Sequence, residues 1–365
     1  MTARAPIVVI AEIGVNHNGS LPAALELVDA AAGAGADLVK FQTFKSDKLV
    51  TKKARQAAYQ TRNLGDAAHD GGQLEMLRAL ELDDDAHRQV AAHAAARGVG
   101  FLSTPFDADS TDFLIDGMGL TQIKVGSGDM TNAPHLLHLA RRGVDVILSS
   151  GMATMEEVAR ALGCLAFGYL GGAEPGADAF LRALDDPQGR ERLARKVTLL
   201  HCTSNYPTPL DEINLAVMDS FRAVFPCPVG FSDHSEGIAV AIGAVARGAC
   251  MIEKHFTLDR TLPGPDHRAS IEPADFAAMV AGIRAVERAI GDPRKLPTAS
   301  EMDTMAVARK SLVASAPIAA GEAFSAANLG VKRPGGGLSP EAYWSLLGRA
   351  ASRAYAPDDL IEERP

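Results

Sequence analysis

Through about residue 290 the chain alternates short runs of β-branched and other apolar residues with longer Ala/Leu-rich stretches whose apolar positions recur every three to four residues. The short runs predict buried strands and the 3.6-residue spacing predicts amphipathic helices, so the sequence reads as repeated βα units. Strands are predicted at Ile7–Ala11, Leu38–Phe41, Gly100–Leu102, Gln122–Val125, Val144–Leu148, Lys196–His201, Val229–Phe231 and Cys250–Ile252. Helices are predicted at Leu21–Ala32, Leu74–Arg97, Met155–Phe167, Ile238–Arg247 and Pro273–Ile290. Eight such units suit an α/β fold of the (β/α)8 barrel type better than a doubly wound sheet. The pattern stops after Gly291-Asp292-Pro293, which predicts a barrel over 1–292, a linker over 293–306 and a small module over 307–365.

In a (β/α)8 barrel the carboxyl ends of the strands share one mouth. The polar residues closing the predicted strands are Glu12, Lys40 with Gln42, Thr104, Lys124 with Ser127, Ser149, Ser204, Ser232 to His234, and Glu253 with His255. Singly, a serine at a strand end reads as a helix cap and a lysine as a solvated side chain. Together they read as a site. Lys40 and Lys124, with the hydroxyls and the amides of Gly126, Ser127 and Gly128, make a cradle for a phosphorylated small molecule. His234 and His255 fall on adjacent strands, about 4.8 Å apart, which suits two imidazoles on one metal ion. Without thiolates such a site keeps open positions and acts as a Lewis acid. Glu12 is expected to serve as a general base or electrostatic group, and Asp233 to orient the neighbouring imidazole. His87, His93, His135 and His138 fall on helices and read as solvent-exposed.

Composition narrows the function classes. With 47% apolar and 22% charged residues the chain is an ordinary globular protein. Its 45 acidic against 36 basic residues argue against nucleic acid or an anionic membrane as partner. Cys164, Cys202, Cys227 and Cys250 are widely spaced and read as buried thiols of a reducing compartment. No leader or membrane-spanning pattern is apparent, so a cytoplasmic protein is expected. No nucleophile elbow, Walker loop or dinucleotide fingerprint is present.

The motifs Ala11-Glu12-Ile13-Gly14-Val15-Asn16-His17-Asn18-Gly19, Val39-Lys40-Phe41-Gln42-Thr43, Ser103-Thr104-Pro105-Phe106, Lys124-Val125-Gly126-Ser127-Gly128, His201-Cys202-Thr203-Ser204, Phe231-Ser232-Asp233-His234 and Gly264-Pro265-Asp266-His267 occur in that order. This series resembles the bacterial sialic acid synthase family, from about Ile7 to Glu362. The resemblance implies a transferase that condenses phosphoenolpyruvate with an N-acetylated mannose-type aldose, releasing phosphate and giving a nine-carbon 2-keto acid. It implies that Lys40, Thr104, Lys124, Ser127, Ser149, Ser204 and Ser232 hold phosphoenolpyruvate. Gln42, Asn63, Tyr206 and Asp266, with Glu12, would address the sugar, and His234 and His255 a divalent metal, expected to be manganese, with magnesium or cobalt as alternatives. Glu12 or Glu253 would take the proton of the attacking water; the residues leave that open. The tail, with Ala308-Arg309-Lys310-Ser311-Leu312 and Lys332-Arg333-Pro334-Gly335-Gly336-Gly337, resembles the antifreeze-like (SAF, β-clip) domain of the same family. There the resemblance implies a domain-swapped homodimer in which Arg333 reaches the partner's sugar.

Ser204 and Asp129 depart from residues frequent in the family, Asn and Glu respectively. The stretch Gly168–Arg195 is expected to be a surface insertion, and Thr43–Gln73 a loop over the sugar. The main expectation for the product is N-acetylneuraminate. The alternative is N,N'-diacetyllegionaminate, made from 2,4-diacetamido-2,4,6-trideoxymannose. More remote readings are a Schiff-base aldolase using Lys40 or Lys124 and a non-catalytic carbohydrate-binding protein.

Overall fold

A computed structural model describes residues 5–51, 53–54 and 72–362. All eight predicted strands form: β1 (Val8–Gly14), β2 (Leu38–Thr43), β3 (Gly100–Pro105), β4 (Gln122–Val125), β5 (Asp145–Ser149), β6 (Val197–His201), β7 (Val229–Asp233) and β8 (Met251–His255). They are hydrogen-bonded in the order β3-β2-β1-β8-β7-β6-β5-β4, and every ladder is parallel. The result is a nearly closed (β/α)8 barrel whose seam lies between β3 and β4. Several strands run two or three residues past their predicted ends, because the polar residues that seemed to close them are themselves strand residues facing inward.

The period of two explains the layering. Ile10, Leu102, Ile147, Leu200 and Met251 point into the barrel and form an apolar floor, with Val8 and Leu38 packed on it. Two residues further along each strand, the same face presents Glu12, Thr104, Ser149, Cys202 and Glu253, and Leu38 is followed by Lys40. A polar layer therefore rests directly on an apolar one. The alternate positions, such as Val9, Ala11, Val39 and Phe41, face the helices and join the main core.

The helix Leu21–Gly33 shows how the outer layer is specified. Ser20 caps it by accepting from the Ala23 amide, and Ala24, Leu27, Val28 and Ala31 are buried at helical spacing. The predicted helix Leu74–Arg97 is two helices, Gly72–Leu80 and Asp84–Ala96, because the Asp83 carboxylate accepts from the Ala86 amide at 2.8 Å and starts a new one. His87 and His135, expected to be exposed, are buried, and His87 bonds to Thr43 at 3.0 Å. The expected surface insertion Gly168–Arg195 instead supplies the helices Ala177–Asp185 and Pro187–Lys196, and buries Ala183, Leu184 and Leu193 in the main core. Within the expected loop Thr43–Gln73, Ser46–Leu49 forms a helical turn.

Two compact units are present, Met1–Gly291 and Asp292–Pro365. The predicted linker is partly helical: Thr298 and Glu301 form a capping box leading into the helix Met302–Ala308. In the second unit, β9 (Ser311–Ala314) pairs antiparallel with β10 (Leu329–Lys332). Its own small core includes Leu312, Ile318, Phe324, Leu329, Leu346, Tyr355 and Ile361. Among the described residues, no helix is long and apolar enough to cross a membrane.

Candidate active site

The polar layer places two ammonium and two carboxylate groups in contact. Lys40 Nζ lies 2.6 Å from Glu12 Oε2 and 3.7 Å from Glu253 Oε2, while Lys124 Nζ lies 3.5 Å from Glu253 Oε1. All four side chains are at most 5% exposed, and buried charges persist only when paired in this way. Lys40 also donates to Thr104 Oγ1 at 3.2 Å, and Ser232 Oγ donates to Glu253 Oε1 at 2.7 Å. A bulge between Glu12 and Gly14 ends the regular pairing of β1 with β2. Gly14 has a φ of +55°, and a side chain there would begin 3.1 Å from Glu12 Oε1.

The two carboxyls are driven apart. Burial raises Glu12 to about 7, with Lys40 opposing and the charge on Glu253 reinforcing the rise. Burial acts on Glu253 as well, but Lys124, Lys40 and the Ser232 hydroxyl overcome it and hold Glu253 near 2. Against its own burial, Lys40 is raised by Glu12 and Glu253 and stays an ammonium. Burial pulls Lys124 below the usual lysine range, with Glu253 opposing.

Beside this cluster is a nest of small donors. The Gly151 amide donates to Ser127 Oγ at 2.9 Å and to Cys202 Sγ at 3.1 Å. A Cβ on Gly151 would stand 2.3 Å from Ser204 Oγ and 2.8 Å from Ser127 Oγ, so only glycine leaves the nest open. The Ser149 hydroxyl is buried with no hydrogen-bond partner among the described residues. With Lys124 nearby, these groups suit an anion.

His234 and His255 lie together, ring centroids 5.5 Å apart, with the Tyr206 ring 4.2 Å from the first and 5.4 Å from the second. Burial lowers His234 to about 4; burial and the His234 neighbour hold His255 well below the ordinary histidine range. Both are therefore neutral, the form that ligates a metal. His234 Nδ1 lies 2.6 Å from the Thr203 carbonyl and donates to it, which leaves Nε2 with a lone pair. His255 Nδ1 is buried without a hydrogen-bond partner. Two neutral imidazoles, His255 with Nδ1 unpartnered and His234 with an Nε2 lone pair that meets the Ser232 hydroxyl at 3.3 Å, beside anionic Glu253, fit a divalent cation. Among the described residues no group of three His, Cys, Asp or Glu side chains gathers here, so water or substrate oxygens would complete its coordination.

One cavity of about 560 Å³ collects Glu12, Lys40, Gln42, Thr104, Lys124, Ser127, Ser149, Ser204, Tyr206, Ser232, His234, Glu253, His255 and Asp266. Burial raises Asp266 to about 6, with Lys40 opposing. Asn63 lies outside the described residues, and Arg333 belongs to the second unit. Asp233 does not orient His234 as expected: it accepts from Lys254 Nζ at 2.8 Å and from the Ser235 amide and hydroxyl, and the imidazole is oriented by Thr203. Sequence reasoning missed Cys202, Gly151, Met152 and the apolar residues Leu49, Val50, Met76, Leu77, Leu80 and Phe106 that line the cavity or its nest. The period-two step from Leu200 on the floor to Cys202 was the available signal for that thiol. None existed for the apolar wall, which reads as ordinary helix core.

A parallel barrel with a buried lysine–carboxylate cluster, an anion nest and paired histidines at its carboxyl end defines a class of enzyme acting on small anionic substrates. The sequence matches the NeuB family over residues 27–295 and the SAF domain over 309–363. It is 43% identical to the N,N'-diacetyllegionaminic acid synthase of Campylobacter jejuni, over 97% of this chain and 98% of that protein. It is 41% identical to the enzyme of the same name from Legionella pneumophila, over 94% and 90%. The structure resembles an N-acetylneuraminic acid (sialic acid) synthetase from Leptospira borgpetersenii, with a TM-score of 0.66 and 30% identity over 82% and 90% of the two chains. The chain belongs to the NeuB family. It is a synthase that condenses phosphoenolpyruvate with an acetamido sugar.

Proposed function

We propose that the sugar is 2,4-diacetamido-2,4,6-trideoxymannose and the product N,N'-diacetyllegionaminate. The observation that carries this reading is the identity of 43% and 41%, across nearly whole chains, with two proteins named as synthases of that acid. The expectation of N-acetylneuraminate gives way to it, since the likeness to the N-acetylneuraminic acid synthetase is lower, at 30%.

In this reading Lys40, Lys124, Thr104, Ser127, Ser149, Ser204 and Ser232 hold the phosphate and carboxylate of phosphoenolpyruvate. Gln42, Tyr206 and Asp266 face the sugar; Asn63, and Arg333 from the tail of a second copy, complete its contacts in a homodimer. His234 and His255 would hold a divalent cation, which when bound would supply Lewis acidity for the sugar aldehyde. The enol carbon attacks the aldehyde carbon, whose oxygen takes up a proton and becomes a hydroxyl; water adds at the resulting cationic C2 and gives up a proton, and the tetrahedral centre collapses to the ketone as phosphate leaves with C–O cleavage. Glu253, pinned by two ammonium groups and Ser232, stays ionised and steadies the positive charge developing at C2. Glu12, whose carboxyl titrates near neutrality, takes the water proton.

The test is phosphate release with phosphoenolpyruvate, manganese and either 2,4-diacetamido-2,4,6-trideoxymannose or N-acetylmannosamine. The diacetamido sugar is expected to show a kcat/KM at least about 10-fold higher, the scale on which one added contact discriminates. Equal or faster turnover of N-acetylmannosamine overturns the reading. A Schiff-base route needs a neutral lysine; Lys40 is held as an ammonium, and borohydride with pyruvate is expected to trap no adduct on it.

A further inference from the structure

Three loops meet at the anion nest. Ser127 opens the turn after β4, Gly151 stands two residues past β5, and Cys202 directly follows β6. The Ser150 amide and hydroxyl both donate to the Leu200 carbonyl, at 3.0 and 2.9 Å, which fixes the loop after β5 against β6. The Gly151 amide is thereby shared between Ser127 Oγ and Cys202 Sγ, and these two atoms lie 3.1 Å apart, within reach of a hydrogen bond that either can donate. Cys202 is only 5% exposed, whereas Ser127 is half-buried and lines the cavity. The Ser149 hydroxyl lines the same cavity, buried and without a hydrogen-bond partner among the described residues, which marks this corner as prepared for a ligand.

We propose that Cys202 is a positioning residue for phosphoenolpyruvate: its thiol donates to Ser127 Oγ and so turns the Ser127 hydroxyl hydrogen toward the anion. The inference rests on the assignment of Ser127 to phosphoenolpyruvate given above. A serine hydroxyl has one hydrogen and two lone pairs. The Gly151 amide takes one lone pair. When the thiol hydrogen takes the other, the hydroxyl hydrogen is left for an oxygen of the ligand. In the reverse arrangement Ser127 donates to sulfur and presents a lone pair to the cavity, which repels an anion. An anionic ligand therefore selects the first. Burial raises the Cys202 thiol, with the Ser127 hydroxyl, Lys124 and the Gly151 amide opposing, so the sulfur keeps the hydrogen that this arrangement needs. The thiol acts through Ser127 and not on the ligand itself.

The experiment measures the dissociation constant of phosphoenolpyruvate by isothermal titration of the full chain with manganese and no sugar, and then the KM of the sugar that turns over. Cys202→Ala is expected to weaken phosphoenolpyruvate about 3- to 10-fold, the range that one neutral hydrogen bond commands, with the sugar KM unchanged. Cys202→Ser, close to alanine in size but able to donate, is expected to regain most of that loss. Cys202→Val keeps the bulk of the thiol without a donor and is expected to bind as weakly as Cys202→Ala, which gives the same reading should the alanine variant fold poorly. In a Ser127→Ala background Cys202→Ala should have little further effect, because the group it acts through is gone. Affinity in Cys202→Ser no better than in Cys202→Ala, wild-type affinity in Cys202→Val, or a fully additive loss in the double variant overturns the role of the thiol. Where Ser127→Ala weakens phosphoenolpyruvate and Cys202→Ala does not, that role falls and the assignment of Ser127 stands. Where Ser127→Ala itself has no effect, the assignment falls and the inference with it.

Discussion

His234 donates from Nδ1 to the carbonyl oxygen of Thr203 at 2.6 Å, and this one bond decides which ring nitrogen is left for chemistry. Burial keeps the ring neutral, so the remaining nitrogen carries a lone pair in the cavity shared with His255. His234→Ala and His255→Ala are each expected to weaken manganese binding by more than the ~10- to 100-fold that changes behind a metal ligand cost. Electron paramagnetic resonance of free manganese measures the affinity, and circular dichroism checks that the fold persists. Chelation should abolish turnover and added manganese restore it; full activity in a metal-stripped double variant would refute the assignment.

Gly151→Ala tests the anion nest. Its new methyl would displace the hydroxyls of Ser204 and Ser127, which stand 2.3 and 2.8 Å from its position. A displacement of that order in a binding group costs about 10- to 100-fold. The KM for phosphoenolpyruvate should rise by that factor and the sugar KM should change little. A rise confined to the sugar would show that the nest serves the other substrate.

Behind the histidines, Lys254 and Asp233 form an ion pair with side chains at most 1% exposed, joining β7 to β8. Removing one partner leaves a buried charge, so Lys254→Met should destabilise the barrel by about 3–5 kcal/mol. The double variant Asp233→Leu with Lys254→Met should recover part of that loss in urea unfolding. An additive double variant would show that the two charges do not depend on each other.

Acid should destabilise the protein before the carboxylates as a class are protonated. Burial lowers His17, His234 and His267 to about 4, and holds His87, His135, His201 and His255 below the ordinary range. From about pH 6.5 down to 4 the unfolded chain therefore binds more imidazole protons than the native one, and stability falls as pH falls. Glu12 and Asp266, raised to about 7 and 6, run the other way but are outnumbered. The Tm should drop between pH 7 and 5, and His17→Asn should flatten the drop. A Tm that holds steady or rises would contradict the burial of neutral rings.

The periodicities alone determined the barrel and most of its mouth. Ile10 followed by Glu12, Leu102 by Thr104 and Met251 by Glu253 place the polar layer on its floor, because side chains two apart on a strand share a face. The sequence also announced both histidines and both lysines as inward residues of one rim. It did not show that Thr203 rather than Asp233 orients His234, since a backbone carbonyl carries no residue signature. It did not separate Glu12 from Glu253, because two carboxyls near the same lysines diverge only through distances of a few ångströms. It gave no hint that Met76, Leu77 and Leu80 face a cavity rather than a core, since apolar spacing marks a buried helix face without naming what lies against it. Those were decisions of tertiary structure, as they depend on which side chains from remote segments share one small volume, whereas the barrel needed only the local repeat of polar and apolar positions.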